Sequence, residues 1–326
     1  MPPETINEAV NKALFEELRR DPDVFVMGED IGKRGGVFRA TQGLIEEFGA
    51  TRIIDTPLAE SSIAGIAMGA AMSGMRPIAE IQFADFIWPA MNQIVGEAAR
   101  VRYGTYGKLS VPMVVRTPYG GQVRGGLFHS QSVEAYFAHT PGLKVIAPST
   151  PYDAKGLLKA SIRDDDPVIV FNNRQLMGLR FDDHVPEDQY TVQIGKSEIK
   201  QEGDDITLIG IGFTTRVCME AAEELEEQGY SVEVLDLLSL SPMDNDAILS
   251  SVQKTRKVVI VDEDYPRCSI AADISALVAE EAFDYLDAPP RRVNAPHASV
   301  PYSRPLEALY VPNKEKVVEA ALEIID

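Results

Sequence analysis

Residues 61–82 read SSIAGIAMGAAMSGMRPIAEIQ. The first fourteen are almost all small or apolar, and their length and flanks predict a buried helix over Ser61–Gly74. Gly65 and Gly69 stand four apart, so they share a helix face and let another backbone come close. The remainder, Arg76–Gln82, predicts a strand. A helix that feeds directly into a strand is the building step of an alternating α/β chain. Outward from this stretch the rhythm persists. Asp23–Gly28 (DVFVMG) predicts a short buried strand before it. A helix around Met91–Tyr103 and a strand at Val111–Arg116 follow. Leu143–Pro148, a helix over Tyr152–Arg163 and Pro167–Asn172 continue the alternation. Strands separated by helices imply parallel pairing with helices on both faces.

Phe181–Asp205 is acidic and polar, which predicts a connection between domains carrying short edge strands. The rhythm then restarts with a strand at Ile206–Gly212, a helix at Arg216–Gln228 and a strand at Ser231–Asp236. A helix at Asn245–Lys254, a strand at Lys257–Asp262 and a helix at Ser269–Phe283 come next. A short strand at Arg291–Asn294 and a helix from Lys314 to Ile325 complete it. The expected boundaries are 1–180 for a first domain, 181–204 for the linker and 205–326 for a second. Both are expected to be doubly wound α/β domains.

Composition narrows the function classes. Apolar residues make up 45% and charged residues 25% of the 326-residue chain, which is globular composition. The longest apolar runs, such as Ile206–Phe213, are too short to cross a bilayer. The N-terminus lacks the apolar core of a secretory signal and predicts an amphipathic helix. Cys218 and Cys268 make no disulfide framework, which points to a reducing cytoplasm. Thirty-one basic and 50 acidic side chains give a net charge of −19, a surface that repels phosphate backbones and argues against nucleic acid.

The common motifs fail individually. Gly210-Ile-Gly212 follows a strand, but Thr215 stands where a dinucleotide fingerprint needs its third glycine. His129, His139, His184 and His297 lack metal-ligand spacing to cysteine or carboxylate. Cys268, beside a helix start, and Cys218, inside a helix, both read as buried structural residues. No Gly-x-Ser-x-Gly elbow supports an esterase nucleophile. Asp164-Asp165-Asp166 reads as a solvated helix end. Three unusual stretches remain: Asp55–Glu60 (DTPLAE), Ile81–Trp88 (IQFADFIW) and Gly125–Ser132 (GGLFHSQS).

In this order and spacing those stretches resemble the β subunit of the decarboxylating first component of 2-oxo acid dehydrogenase complexes. GEDIG (28–32), PGLKVIAPSTPYDAKGLL (141–158), IRDDDPV (162–168) and VVIVDEDYPRCSIAADISALVAEEAF (258–283) extend the likeness over nearly the whole chain. The resemblance implies a thiamin-diphosphate-binding domain of the pyrimidine type followed by a transketolase C-terminal-like domain. It also implies an α2β2 heterotetramer with the cofactor held between an α and a β subunit. In that family the α subunit binds the diphosphate and magnesium through a Gly-Asp-Gly motif. This chain has no such motif, its nearest string being Gly203-Asp204-Asp205. The chain alone is therefore expected to be inactive.

Carried over position by position, the resemblance assigns roles. The cofactor's amino group becomes a base only when its far pyrimidine nitrogen is protonated, which calls for a carboxylic acid in a dry site. Glu60 matches that acid. Phe86 matches the aromatic that packs on the pyrimidine, Gln82 lines the same pocket, and Leu58 is expected as a wall. His129 matches the histidine that meets the substrate and serves acyl transfer to the lipoyl arm. Gly125 and Gly126 leave its loop free to approach ligand. His139 is expected to be structural. Family members hold a structural potassium ion at positions matching Met113, Ser161, Ile162, Asp164 and Asp166, and oxygen-only ligation suits a hard cation.

For substrate, EIQFADFI (80–87) and GGLFHSQSVEA (125–135) resemble branched-chain members. VDEDYPRCSIAADISALVAEEAF (261–283) and APHASVPYS (295–303) resemble acetoin or pyruvate members. The pocket-lining stretches carry more weight, so the expected reaction is decarboxylation of a branched-chain 2-oxo acid of the 2-oxoisovalerate type. Reductive acylation of the lipoyl group of a dihydrolipoyl acyltransferase follows, with pyruvate or acetoin dehydrogenase as the alternative. Docking on that acyltransferase is expected through the acidic C-terminal region. A single-chain transketolase-like enzyme would need the missing diphosphate motif. A non-catalytic paralogue would be expected to lose Glu60 or His129.

Overall fold

In the computed structural model, which describes residues 3–182, 185–187 and 189–325, the first-unit strands Val24–Gly28, Val114–Tyr119 and Val168–Asn173 are buried end to end. His184 lies outside the described residues. Val24–Gly28 (β1), Ile53–Asp55 (β2), Arg76–Glu80 (β3), Val114–Tyr119 (β4), Lys144–Ile146 (β5) and Val168–Asn173 (β6) pair in the spatial order β5-β6-β4-β3-β1-β2. Every pairing among them is parallel. A parallel sheet covered on both faces calls for continuous apolar runs, which VFVMG and VIVF supply.

Ile6–Arg20 (α1) begins with a capping box: Thr5 accepts from the Glu8 amide, and the Glu8 carboxylate accepts from the Thr5 amide. Its apolar stripe, Ile6, Ala9, Val10, Ala13, Leu14 and Leu18, is buried, as amphipathic spacing predicts. Its polar edge meets Pro151–Arg163, where Lys155 and Lys159, both buried, share the Glu16 carboxylate at 2.7 and 2.5 Å.

Glu60–Met72 (α2) is the helix expected at 61–74, but it is not buried all round in this chain. Ile63, Ala64, Ala67 and Ala71 are buried, whereas Ile66 is 59% exposed. A Cβ on Gly65 would touch the Gln93 side chain, while Gly69 faces open space. The helix expected around Met91–Tyr103 is split into a π-helical stretch, Asn92–Ala98, and an α-helical turn, Ala99–Gly104.

In the second unit, Glu198–Gln201 (β7), Ile206–Gly210 (β8), Val232–Asp236 (β9), Val258–Asp262 (β10) and Arg291–Asn294 (β11) lie in the order β11-β10-β8-β9-β7. All pairings are parallel except β7 with β9, so part of the stretch expected as a connection is an antiparallel edge strand. Phe213–Glu227 and Lys314–Ile325 bury Val217, Ala221, Leu225, Val317 and Ala321 against Ile206, Leu208, Val232 and Val259. The chain divides into two compact units. Residues through Tyr119 join Tyr136–Ile194, and Gly120–Ala135 belongs with Gly195 onward.

Candidate active site

The loops after β1, β2 and β3 meet at the C-terminal edge of the first sheet, where ligands bind in open parallel sheets. After β1 comes GEDIG; after β2 comes DTPLAE. The Gly32 amide donates to the Asp55 carboxylate at 2.6 Å, and the Thr56 amide donates to the Gly28 carbonyl at 2.9 Å. Gly28 is required by close approach, since a Cβ there would lie 2.5 Å from the Glu80 carbonyl oxygen.

These bonds bring Glu29 and Glu60 near one another. Glu60 is half-buried and opens helix α2, where the partial positive charge of the helix start favours an acid. Glu29 is nearly buried, and one of its carboxylate oxygens has no hydrogen-bond partner. Burial pushes its carboxyl above the usual range, and the neighbouring Glu60 and Asp30 carboxylates push the same way. Glu29 has no assigned role in the sequence reading. Its position directly after a buried strand was the available signal.

Further buried polar groups line this edge. Arg116 in β4 pairs with Glu80 at 2.5 Å, both buried, while its Nε and Nη2 have no partner. Thr56, Gln93 and Asn172 likewise bury side-chain polar atoms that lack partners. Natural folds leave few such groups unpaired, so their concentration here marks a place that takes a polar ligand or ordered water. Gln82 and Phe86 are half-buried beyond the end of β3. Phe86 packs edge-on to Phe83 with ring centroids 5.3 Å apart; Phe83 meets Phe38 at 5.7 Å, and the Arg174 guanidinium caps both of these rings. Acid, amide and flat apolar ring are the donor set an aminopyrimidine needs, so these residues fit that part of the cofactor. Leu58, expected as a pocket wall, is 79% exposed in this chain and is not drawn onto the others.

His129 belongs to the second unit, through Gly120–Ala135. It is half-buried and follows a short turn, its amide donating to the Gly126 carbonyl at 3.3 Å. Gly126 has φ +57°, and a Cβ there would lie 2.3 Å from the Tyr302 ring, so this glycine is fixed rather than free. Behind the loop, Glu134, Asp262 and Asp264 are buried together, and burial raises all three carboxyls, that of Asp264 to about 7. His139 and His297 are exposed.

Of the five residues expected to hold potassium, Ile162, Asp164 and Asp166 are already engaged by cationic side chains. Lys144 bonds the Asp164 carboxylate at 2.6 and 2.8 Å, Arg102 pairs with Asp166, and Arg76 pairs with Asp165. Arg76 also donates to the Ile162 and Asp164 carbonyls, and the Val168 amide donates to the Met113 carbonyl. Ser161 donates its hydroxyl to the Leu157 carbonyl. Three carboxylates matched by three cations do not fit a bare monovalent ion, which would bring surplus positive charge. The same pairing corrects the reading of Asp164 and Asp166 as solvated, while Asp165 is exposed as a helix end implies.

Two other expectations are settled by geometry. A Cβ on Gly210 would lie 2.4 Å from the Thr215 Cα, and Thr215 donates its hydroxyl to Asp236 at 2.9 Å. The place of the third fingerprint glycine is thus taken by a side chain tied to the sheet. Cys218 is buried as expected, and burial pushes its thiol up. Cys268 is exposed, at φ +55° just before the helix Ile270–Glu281, which corrects its reading as buried.

Comparison with known proteins follows the same division. The chain matches the "Transketolase, pyrimidine binding domain" family over residues 4–179 and the "Transketolase, C-terminal domain" family over residues 195–317. It is 51% identical to the 2-oxoisovalerate dehydrogenase subunit beta of Bacillus subtilis, covering 98% of each chain. Identity is 46% with the acetoin:2,6-dichlorophenolindophenol oxidoreductase subunit beta of the same organism, over 98% of this chain and 97% of that one. It is 45% with the pyruvate dehydrogenase E1 component subunit beta of Staphylococcus epidermidis, over 97% of each. A solved split-gene transketolase, described as an inactive β4 tetramer, shares the fold at 22% identity, with a TM-score of 0.81 and 98% coverage of both chains. Among the described residues no helix is long and apolar enough to cross a membrane. The chain therefore belongs to the family of β subunits of thiamin-diphosphate-dependent 2-oxo acid dehydrogenases, oxidoreductases built from a transketolase-type pyrimidine-binding domain and a transketolase-type C-terminal domain.

Proposed function

We propose that the chain supplies the pyrimidine half of the active site in a cytoplasmic α2β2 enzyme. That enzyme decarboxylates a branched-chain 2-oxo acid and transfers the acyl group to the lipoyl arm of a dihydrolipoyl acyltransferase. The observation that carries the reading is the Glu29–Glu60 pair. Two carboxyls are brought together at a sheet edge, where burial and the neighbouring Glu60 and Asp30 carboxylates raise the proton affinity of Glu29, the kind of setting an acid facing a pyrimidine nitrogen needs.

Bound thiamin diphosphate supplies the nucleophilic carbon and the electron sink for decarboxylation. The chain's own residues do the rest. Glu60 holds a proton at its carboxyl for the ring nitrogen. Phe86 and Gln82 seat the ring, Phe86 by its flat face and Gln82 by its amide. His129 offers an imidazole to hydrogen-bond the substrate and serve the acyl transfer. Diphosphate and magnesium fall to an α subunit. Gly203, in the string nearest to a diphosphate motif, is wedged against the Val232 backbone instead. The exposed Leu58 and Ile66 and the open Gly69 give that subunit an apolar surface to cover.

The test is co-expression with an α subunit, followed by decarboxylation assays across branched-chain 2-oxo acids and pyruvate, and reduction of an artificial electron acceptor with acetoin. Turnover by the pair, absent from either chain alone and highest with a branched-chain 2-oxo acid, is the expected result. Preference for pyruvate or acetoin would reassign the substrate. Activity of this chain by itself would overturn the shared-site reading.

A further inference from the structure

We infer that Glu263, Glu307 and Tyr265 are positioning residues that hold the His129 loop in its working conformation. The inference rests on the role proposed above for His129.

The loop cannot hold itself. Gln122 and Arg124 sit at φ +60° and +61°, a left-handed backbone that costs a side-chain-bearing residue about 1–3 kcal/mol unless its surroundings enforce it. Ahead of the histidine, enforcement comes from the rest of the second unit through backbone amides. The Gly121 amide donates to the Glu263 carboxylate, and the Arg124 amide lies 3.3 Å from both oxygens of Glu307. These two bonds bracket Gln122 and end on Arg124 itself. Glu263 and Glu307 are both buried, so their bonds are made in a dry setting where charge-assisted hydrogen bonds are strong.

On the far side of the histidine, the Tyr265 hydroxyl donates to the Gln131 side-chain carbonyl at 2.6 Å. The Gln131 amide in turn donates to the Leu127 carbonyl at 2.8 Å. His129 is therefore gripped at Gly121 and Arg124 before it and at Gln131 after it. Glu263 and Tyr265 lie just past the end of β10 and Glu307 lies in the helix Arg304–Tyr310, so the clamp is built on rigid elements. None of the three needs to touch a reacting atom. Their effect passes through the placement of the imidazole.

The test uses the assembled α2β2 enzyme with two readouts, decarboxylation with an artificial electron acceptor and reductive acylation of a lipoyl domain. Glu263→Ala, Glu307→Ala and Tyr265→Phe are each compared in the wild-type and His129→Ala backgrounds. A loosened loop that displaces the imidazole by about 1 Å is expected to slow acylation by about tenfold or more. In the His129→Ala background the same changes should cost little further, because the clamp acts only through that residue. Equal losses in both backgrounds would overturn the proposal. So would unimpaired acylation in the three clamp variants while His129→Ala abolishes it. Full acylation by His129→Ala itself would instead remove the role of the histidine, a separate failure. Tyr265→Phe deletes one hydroxyl and keeps the ring, so it carries the test if the carboxylate variants do not assemble. Amide hydrogen exchange at Gly121 and Arg124 should then be slow in the wild type, and fast exchange there would also overturn the clamp.

Discussion

Gly32 donates its backbone amide to the Asp55 carboxylate at 2.6 Å, tying the loop that carries Glu29 to the loop that carries Glu60. The bond spans two strands that are neighbours in the sheet, so it turns sheet register into the spacing of two acids. A hydrogen bond to a charged acceptor contributes about 1.5–3 kcal/mol. Asp55→Ala should therefore lower stability by about that amount in denaturant titration of the assembled enzyme. Turnover should fall with it, because the two carboxyls lose their fixed separation. An unchanged denaturation midpoint would show that the loops are held by other contacts.

Glu60→Gln removes the transferable proton while keeping the size and half-buried position of the side chain. A general acid or base contributes about 10²–10⁴ in rate, so turnover with an artificial acceptor should fall by at least that range. Assembly with the α subunit, followed by gel filtration, should be unaffected. Retention of more than a tenth of the activity would exclude the assigned role.

Glu80→Leu leaves Arg116 buried without its carboxylate partner, two of its guanidinium nitrogens already lacking partners among the described residues. Breaking one side of a buried pair costs about 3–5 kcal/mol. That loss should appear in the unfolding free energy, and restoring neutrality with Glu80→Leu and Arg116→Met together should recover much of it. If the single variant were no less stable than wild type, the pair would not be buried as described.

The acidic group behind the His129 loop makes stability depend on pH. Asp264 has a folded value of about 7 against an unfolded value near 3.8, raised first by burial and then by the Asp262 carboxylate. An acid raised on folding binds more protons in the native state, so stability is greatest below the unfolded value. It declines as pH climbs from about 4 to about 7 and levels off above. Asp264→Asn keeps the acceptor for the Tyr265 amide and should flatten that decline in thermal melts across the window. A slope of the same size in the variant would place the titration elsewhere.

Because Lys144, Arg76 and Arg102 already balance Asp164, Asp165 and Asp166, replacing potassium by sodium at constant ionic strength should leave the thermal midpoint unchanged. A rise seen with potassium alone would mean that an ion displaces one of these side chains.

Much of this was open to a reading of the residues. Continuous runs such as VFVMG and VVIVD announce buried parallel strands because both faces must be apolar, and the alternation with helices fixes the doubly wound plan. Glu60, Phe86 and His129 were nameable because they lie in short, unusual strings. The misreadings share a cause. Asp164 and Asp166 look solvated when their partners Lys144 and Arg102 lie 20 and 64 residues away. Cys268 looks buried because cysteine usually is, and only the backbone turn before the helix at Ile270 exposes it. Glu29, Glu263, Glu307 and Tyr265 carry no motif, since what they meet is a backbone amide, a side-chain amide or another acid brought near by folding.

Sequence by itself thus determined the layer order and the family and nominated the candidate reactive side chains, because periodicity and chemical type are local properties of a chain. Tertiary structure alone decided which carboxyls stand side by side, which charges cancel and what grips the histidine loop. Those outcomes depend on distances of a few ångströms between residues far apart in the chain, and on water being excluded where they meet.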